Sequence, residues 1–312
     1  MSMSTSPPTD RVIAIVELLL DVEDGVTVSK ISERLGLNRA TCAAVLGALE
    51  NHGWVDRGPD RSYRVGTALV PVAGAILTRV PIVDGARKLL RQLGDATGLA
   101  ASLSRVAADH TSVIASYGRD RTGPADRTRL PMFPPFGAVV MAFRGPAERR
   151  EWLAHTPDAA AREHLERFLS TVRAEGVGIW RLDDAMGQVA EAIRTMSTMT
   201  GRSDLPQMSA FLQRIGRGYL AGELAEATTL PVSYMAAPVF GHDGRPQFEV
   251  ELHLLRPDAR ASDVRELADE LRAVADELTL RCGGTPAPAP APTRDRQAMT
   301  RNSLTAAGKS RT

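Results

Sequence analysis

Cysteine is almost absent from this sequence: Cys42 and Cys282 are the two in 312 residues, and they fall in segments predicted to be separate. A disulfide framework and a thiol-built metal site are both excluded as organising features, and a reducing compartment suits the chain. Aromatic residues are scarce at 4%, although the apolar fraction of 43% is ordinary for a globular protein. No apolar run approaches the length of a membrane span, and "MSMSTSPPTDR" at the start lacks the apolar centre of a signal peptide. A cytoplasmic protein without membrane contact is expected. A charge surplus is missing as well: 38 Lys and Arg face 37 Asp and Glu, net +1. The molecule as a whole is no electrostatic sponge for nucleic acid, so any such attraction must be local.

The signatures of catalysis are also lacking. There is no phosphate-cradling Gly-Lys-Ser/Thr loop, no His-Glu-x-x-His and no Gly-x-Ser-x-Gly elbow. His155 and His164 lie on separate predicted segments and make a poor metal pair, and His110 is placed in a solvated turn after Asp109. No acid, base and nucleophile converge, so neither an enzyme nor a cofactor is expected.

What is present is concentrated near the N-terminus. In "LGLNRATCAAVLGALENHGWV", residues Cys42, Val45, Leu46 and Leu49 have the i, i+3, i+4, i+7 spacing of a helix with one buried stripe. Asn38 suits its N-cap and Gly53 the left-handed residue beyond its last turn. Ala43, Ala44, Gly47 and Ala48 form the opposite face, and a mid-helix glycine costs about 1 kcal/mol relative to alanine. A small face of that kind suits close approach by a partner. A shorter helix precedes it, with Thr27 as its cap, Ile31 and Leu35 inside and Gly36 as its stop. Upstream, Val12, Ile15, Val16 and Leu19 form the inner face of a third helix. Downstream, 54–57 and 62–65 read as two strands around Gly58-Pro59-Asp60.

Three helices and a hairpin make a winged helix-turn-helix. Between Ser29 and Gly66 the basic residues Lys30, Arg34, Arg39, Arg57, Arg61 and Arg64 stand against Glu33, Glu50, Asp56 and Asp60. They gather at the helix starts and the wing, where phosphates lie in such complexes. The expected DNA contacts are Thr27, Ser29, Lys30, Asn38, Arg39, Ala40, Thr41, Ala43, Ala44, Arg57, Arg61 and Arg64. The alternative use of the same module is as a protein-docking surface.

The segment "GTALVPVAGAILTRV" reads as a linker helix or a subunit contact, and 82–97 as a helix with Leu89, Leu90 and Leu93 inside. Strands follow at 100–106 and 111–117, then a charged loop, then the extended strip "LPMFPPFGAVVMAF" with a helix starting near Gly137. Helices are predicted at 146–155, 160–175 (stopped by Gly176) and 183–200, the last with Met186, Val189, Ile193 and Met196 on one face. "VSYMAAPVF" and "PQFEVELHLL" flank a Gly-His-Asp-Gly-Arg turn and read as an antiparallel hairpin. Glu249, Glu251 and His253 share one face of its second strand. They would form either a polar pocket wall or the water-facing side of a half-exposed sheet, the second being the ordinary expectation. Ser262 is read as the cap of a last helix with Val264, Leu267, Ala268, Leu271, Val274, Ala275 and Leu278 inside. Hairpins with helices make an α+β domain. From Gly283 the Pro-Ala repeat and the following residues lack periodicity and read as disordered.

These residues resemble the IclR family of bacterial transcriptional regulators. The likeness is carried by "VSKISERLGLNRATCAAVLGALENHGWVDR" with "YRVGTALV", by "AAPVFGHDGRPQFEVELHLL" with the last helix, and more weakly by "VRAEGV". The resemblance implies a linker helix at 67–81 between the winged helix-turn-helix at 11–66 and a GAF-like effector domain with a mixed or antiparallel sheet at 82–281, while the ends at 1–10 and 282–312 are expected to be disordered. It implies a homodimer or dimer of dimers on a double-stranded operator, tuned by a small molecule.

Family members usually carry an arginine where Ala44 stands, which shifts base contacts to Asn38, Arg39 and Thr41 and leaves Ala43 and Ala44 for apolar contact. Where the family has a small hydroxyl or alanine pair and Gly-Lys-Ala, this chain has Pro135, Phe136, Ala138 and Val139. That strip borders the family's effector pocket, so the implied effector residues are Met132, Phe133, Phe136, Gly137, Ala138, Met235 and Val250. The effector would be apolar, or a carboxylate held on free amides at Gly137. The stretch from Leu182 to Pro231 is longer than the family's usual connection and reads as an insertion.

Overall fold

A computed structural model describes residues 6–20, 22, 24–79, 81–107, 110–118, 129–132, 134–156, 158–181 and 217–288. The expected 183–200 helix with its methionine face, most of the insertion after Leu182, Phe133 and the tail beyond 288 lie outside the described residues. The chain divides into two units, Met1–Asp84 and Gly85–Thr312.

The first unit contains α1 (Pro7–Leu20), β1 (Val26–Thr27), α2 (Val28–Leu35), α3 (Arg39–Asn51), β2 (Val55–Arg57), β3 (Ser62–Val65) and α4 (Leu69–Arg79). Helix α1 starts at Pro7, inside the stretch expected to be disordered, because proline in a first turn gives up an amide that has no helical partner anyway. Its Ile15 and Leu19 meet Ile31 of α2, Cys42, Leu46 and Leu49 of α3, and Val55 and Tyr63 of the wing in one buried cluster. The stripes of the three helices thus close on each other as their periodicity requires. Gly36 ends α2 in the left-handed conformation (φ 63°), and the turn places α3 across it. Gly53 (φ 65°) ends α3, the Trp54 amide reaching back to the Leu49 carbonyl at 2.9 Å.

The wing is a three-stranded sheet in the order β1-β3-β2. Strand β1 was not predicted, since two residues carry no alternation; it pairs Val26 with Tyr63 and Thr27 with Ser62. Thr27 therefore stands at the N-cap of α2 without a side-chain cap bond, held by its strand instead. On α4, Val70, Val72 and Ile76 are exposed.

The second unit holds α5 (Pro81–Thr97, which the division crosses), β4 (Ala100–Val106), β5 (His110–Tyr117), β6 (Arg129–Pro131), α6 (Ala138–Met141), α7 (Pro146–Leu153), α8 (Ala159–Glu175), β7 (Gly178–Arg181), α9 (Ala221–Glu226), β8 (Thr229–Phe240), β9 (Pro246–Arg260) and α10 (Ala261–Arg281). His110 opens β5 and pairs with Pro131, so it is a strand residue and not part of a turn. Six strands form one antiparallel sheet, β6-β5-β4-β9-β8-β7, which fixes the α+β class. The predicted β8–β9 hairpin closes at Gly241–Arg245, with Gly244 at φ 70° and Asp243 Oδ1 accepting from the Arg245 amide.

Helix α10 begins one residue before the expected cap. Strand β9 runs directly into it, and the Ala261 amide is taken by the Thr228 carbonyl at 2.9 Å. The Ser262 hydroxyl bonds Asp263 instead of capping. Past α10 the chain stays packed through Gly284, where a Cβ would stand 2.4 Å from the Phe240 carbonyl oxygen. The start expected for the disordered tail is thus part of the fold.

Candidate functional site: a nucleic-acid face and a buried polar face

Asn38 is the N-cap of α3: its Oδ1 accepts from the Thr41 amide at 2.8 Å. This bond holds the first turn of the helix, with Arg39, Ala40, Ala43 and Ala44 exposed and Thr41 half-buried. The bond uses one lone pair of the Asn38 oxygen and leaves its amide nitrogen as a donor. Ser29 and Lys30 are exposed on the first turn of α2, while Thr27 is half-buried in β1.

On the wing, Arg57, Arg61 and Arg64 are exposed. Arg57 lies 5.6 Å over the Tyr63 ring. The turn is set by Asp60, whose Oδ1 takes both the Ser62 amide (3.1 Å) and hydroxyl (2.7 Å), bonds that hold its carboxyl below the ordinary carboxylate range. Arg61 sits at φ 59°, a conformation that costs a residue with a Cβ about 1–2 kcal/mol, and forms the tip of the turn. Among the described residues, none of Lys30, Arg34, Arg39, Arg57, Arg61 and Arg64 makes a salt bridge. Their charge is available to a polyanion.

Gly47 tests the small face of α3. A Cβ there would meet nothing within 4 Å, so Gly47→Ala should stabilise the isolated protein by about 1 kcal/mol, read as a raised denaturation midpoint. If the face sinks into a groove, the same substitution weakens DNA binding. A gain in stability with unchanged affinity would remove Gly47 from the interface.

In the second unit the expected effector residues do not converge. Met132 packs on Gly137, where a Cβ would stand 2.5 Å from the Met132 Sδ, and Ala138 is buried with Val139, Val140 and Met141 against Trp152, Phe168 and Trp180. Helix α6 is one turn long, so it offers no anion site of its own, and the Phe136 carbonyl already accepts from Trp152 Nε1 at 3.1 Å. Met235 and Val250 lie elsewhere. They pair with Leu252 and Ala237 and, by the strand alternation, point to the face of the sheet opposite Ala236 and α6. Both are fully buried there.

The α6 face of the sheet instead carries the polar residues. Register sets Ser104 beside Glu249, Ser102 beside Glu251 and Ala100 beside His253 on one side, with Pro238, Ala236 and Tyr234 on the other. The Ser102 hydroxyl bonds Glu251 Oε2 at 2.8 Å and His253 Nε2 at 3.1 Å; the Ser104 hydroxyl bonds Glu251 Oε1 at 3.3 Å. Tyr234 stacks on Trp180 with ring centroids 4.4 Å apart. Glu249 is 6% exposed; burial, and then Glu251, push its carboxyl up to about 8. The water-facing expectation is thereby overturned for Glu249, over which α6 packs on β8 and β9, whereas Glu251 and His253 are half-buried. Ser102, Ser104, Tyr234 and Trp180 were missed by sequence reasoning. The alternation in "ASLSRV" marks the two serines as sharing a face, but the β4–β9 pairing that aligns them is long-range.

His155 and His164 have structural partners. His155 Nδ1 lies 3.3 Å from the Trp152 carbonyl. His164 bonds the Gly218 carbonyl through Nε2 at 2.9 Å and accepts from Arg217 at Nδ1, and burial with Arg217 pushes its pKa down. Among the described residues no three of His, Cys, Asp and Glu could hold a metal ion, and no helix is long and apolar enough to cross a membrane.

Comparison with known proteins adds three findings. Residues 8–59 match the IclR helix-turn-helix domain. The chain is 26% identical over 284 residues to the DNA-binding transcriptional repressor YiaJ of Escherichia coli, covering 88% of this chain and 87% of that protein. Among solved structures it resembles an IclR transcriptional regulator from Alicyclobacillus acidocaldarius (TM-score 0.64, 20% identity, 90% of this chain and all of that one). It also resembles an IclR homolog from Microbacterium hydrocarbonoxydans complexed with 4-hydroxybenzoate (TM-score 0.55, 17% identity, 88% of this chain and 98% of that one).

Proposed function

We propose that this chain, a transcriptional regulator with an IclR-type helix-turn-helix, binds a near-palindromic operator as a homodimer or dimer of dimers. Each recognition helix α3 enters a major groove, and a small molecule in the second unit shifts operator affinity. The carrying observation is the first turn of α3: capped by Asn38, small and exposed along its free face, and flanked by arginines without salt bridges on the wing. Base contacts fall to Arg39 and Thr41, apolar contact to Ala40, Ala43 and Ala44, and phosphate contacts to Ser29, Lys30, Arg57, Arg61 and Arg64. The bare Val70, Val72 and Ile76 of α4 support pairing of subunits through this helix. An effector acts by binding one dimer arrangement better than another, and the operator changes effector affinity by the same factor as the effector changes operator affinity.

Capture of fragmented genomic DNA by the purified protein, followed by sequencing, tests the reading. Enrichment of intergenic sites with two half-sites supports it. No enrichment at low salt, or a protein that stays monomeric at micromolar concentration on DNA, sinks it and leaves the winged helix as a protein-docking module. Within the complex, Arg39→Ala should cost about 1–3 kcal/mol of discrimination between operator and random DNA. Arg61→Ala should weaken all sequences alike and lower the salt slope by about one. Equal effects of the two on both DNAs would reverse these roles.

A further inference from the structure

The wing carries an acid at its tip, where a surface that meets DNA gains nothing from one. Asp60 stands next to Arg61 in the turn from β2 to β3, and a carboxylate there repels a phosphate backbone. Its Oδ1 is committed within the turn, accepting from both the amide and the hydroxyl of Ser62. That hydroxyl is itself fixed: Ser62 is buried, and a Cβ on Gly25 would stand 2.2 Å from its Oγ. Beside Gly58 three groups share one space. A Cβ there would stand 2.7 Å from Asp60 Oδ1, 3.3 Å from Ser62 Oγ and 3.6 Å from Arg64 Nη2. Hydrogen bonds from Ser62, and more weakly the charge of Arg64, hold the Asp60 carboxyl below the ordinary carboxylate range, so it stays ionised.

These contacts give the acid a task. The Gly58 amide donates to the Ser62 carbonyl at 2.8 Å and the Arg61 amide to the Gly58 carbonyl at 3.0 Å, which leaves Arg61 at φ 59°. A residue with a Cβ keeps such a conformation only where its surroundings fix it. The Asp60 carboxylate does so by bonding Ser62 across Arg61, joining the two neighbours of the strained residue. We propose that Asp60 is a positioning residue for phosphate contact, holding Arg61 at the tip of the wing and Arg64 beside Gly58. The proposal rests on reading these two arginines as phosphate contacts, and it makes the acid of the wing a condition of their grip.

Fluorescence anisotropy of the full chain on a labelled random-sequence duplex, from about 50 to about 200 mM salt, tests it. Asp60→Asn removes the charge but keeps an acceptor oxygen for Ser62, so it should bind as tightly as the native protein or more tightly. Asp60→Ala removes the same charge together with the acceptor. It should bind about threefold or more weakly than Asp60→Asn, with a salt slope lower by about one. In a protein that already carries Arg61→Ala and Arg64→Ala, adding Asp60→Ala should cost no further affinity, because Asp60 acts through those two side chains. A loss caused by unfolding of the wing would persist in that background, so the cycle separates positioning from stability.

Equal affinities of Asp60→Asn and Asp60→Ala, or a loss on Asp60→Ala that persists without the two arginines, overturns the inference and leaves the phosphate reading of the wing standing. If the double arginine variant binds the duplex as tightly as the native protein, the phosphate reading itself falls and the inference falls with it.

Discussion

Leu46→Ala is expected to cost the N-terminal unit about 2–5 kcal/mol and to abolish operator binding at 37 °C while leaving the second unit folded. Leu46 is fully buried on α3, where it meets residues of α1, α2 and the wing in one cluster. Removing its branched end leaves a cavity bounded by rigid elements that each have another partner to keep, so little collapse can fill it. The unit is small, and a small core leaves a margin at the low end of the usual 5–15 kcal/mol, so a loss of this size leaves a substantial unfolded fraction. Trp54 is the one tryptophan of this unit, so urea unfolding followed by fluorescence, with Trp54 isolated by replacing Trp152 and Trp180, reads it directly. Leu46→Met, which nearly conserves volume, should cost less than about 1.5 kcal/mol and keep DNA binding. If Leu46→Ala shifted the Trp54 transition by less than the methionine variant, the single-cluster account of this unit would be wrong.

That cluster was legible because a helix of 3.6 residues per turn writes its inner face into the sequence. Cys42, Leu46 and Leu49, the Asn38 cap, and the stops at Gly36 and Gly53 are all local facts, and each is found where it was read. The β8–β9 hairpin and the buried stripe of α10 were readable for the same reason, since a short turn fixes the pairing of its two flanks. Strand β1 was not readable. Its two residues are extended only because Tyr63 and Ser62, far along the chain, pair with them.

The second unit shows the limit more sharply. Alternation in β9 separates Glu249, Glu251 and His253 from Val250 and Leu252, but it does not say which face is covered. Both faces are covered here, one of them by α6 through contacts that no local pattern encodes. Family likeness pointed to the strip around Gly137 and to Met235 and Val250, yet the pleat sends the last two to the other side of the sheet. The polar wall exists because β4 pairs with β9 across a separation of 149 residues between Ser102 and Glu251. Sequence supplied the alternating serines and acids, and long-range pairing put them together.

Glu249→Gln should flatten the pH dependence of stability in the second unit and make it more stable than the native protein at pH 8.5. In the unfolded chain this carboxyl ionises near its ordinary value of 4.5, whereas in the fold it does so at about 8. Between those values the folded state keeps a proton that the unfolded state has released. The contribution of Glu249 to stability is therefore greatest below about pH 4.5 and falls as pH rises toward 8, by several kcal/mol in all. The ionisable groups facing it are Glu251 and His253 on β9 and Tyr234 on β8, whose phenol burial holds well above 10, while the covering layer from Ala138 to Ala142 is apolar. Burial first, and then the neighbouring Glu251 carboxyl, oppose the new charge as the pH rises. Urea denaturation followed through Trp152 and Trp180 at pH 5.5 and 8.5 gives the two slopes. Converging curves at low pH and a clear advantage for the glutamine variant at high pH fit a buried neutral acid. Parallel curves would mean that Glu249 ionises as freely in the fold as in the unfolded chain.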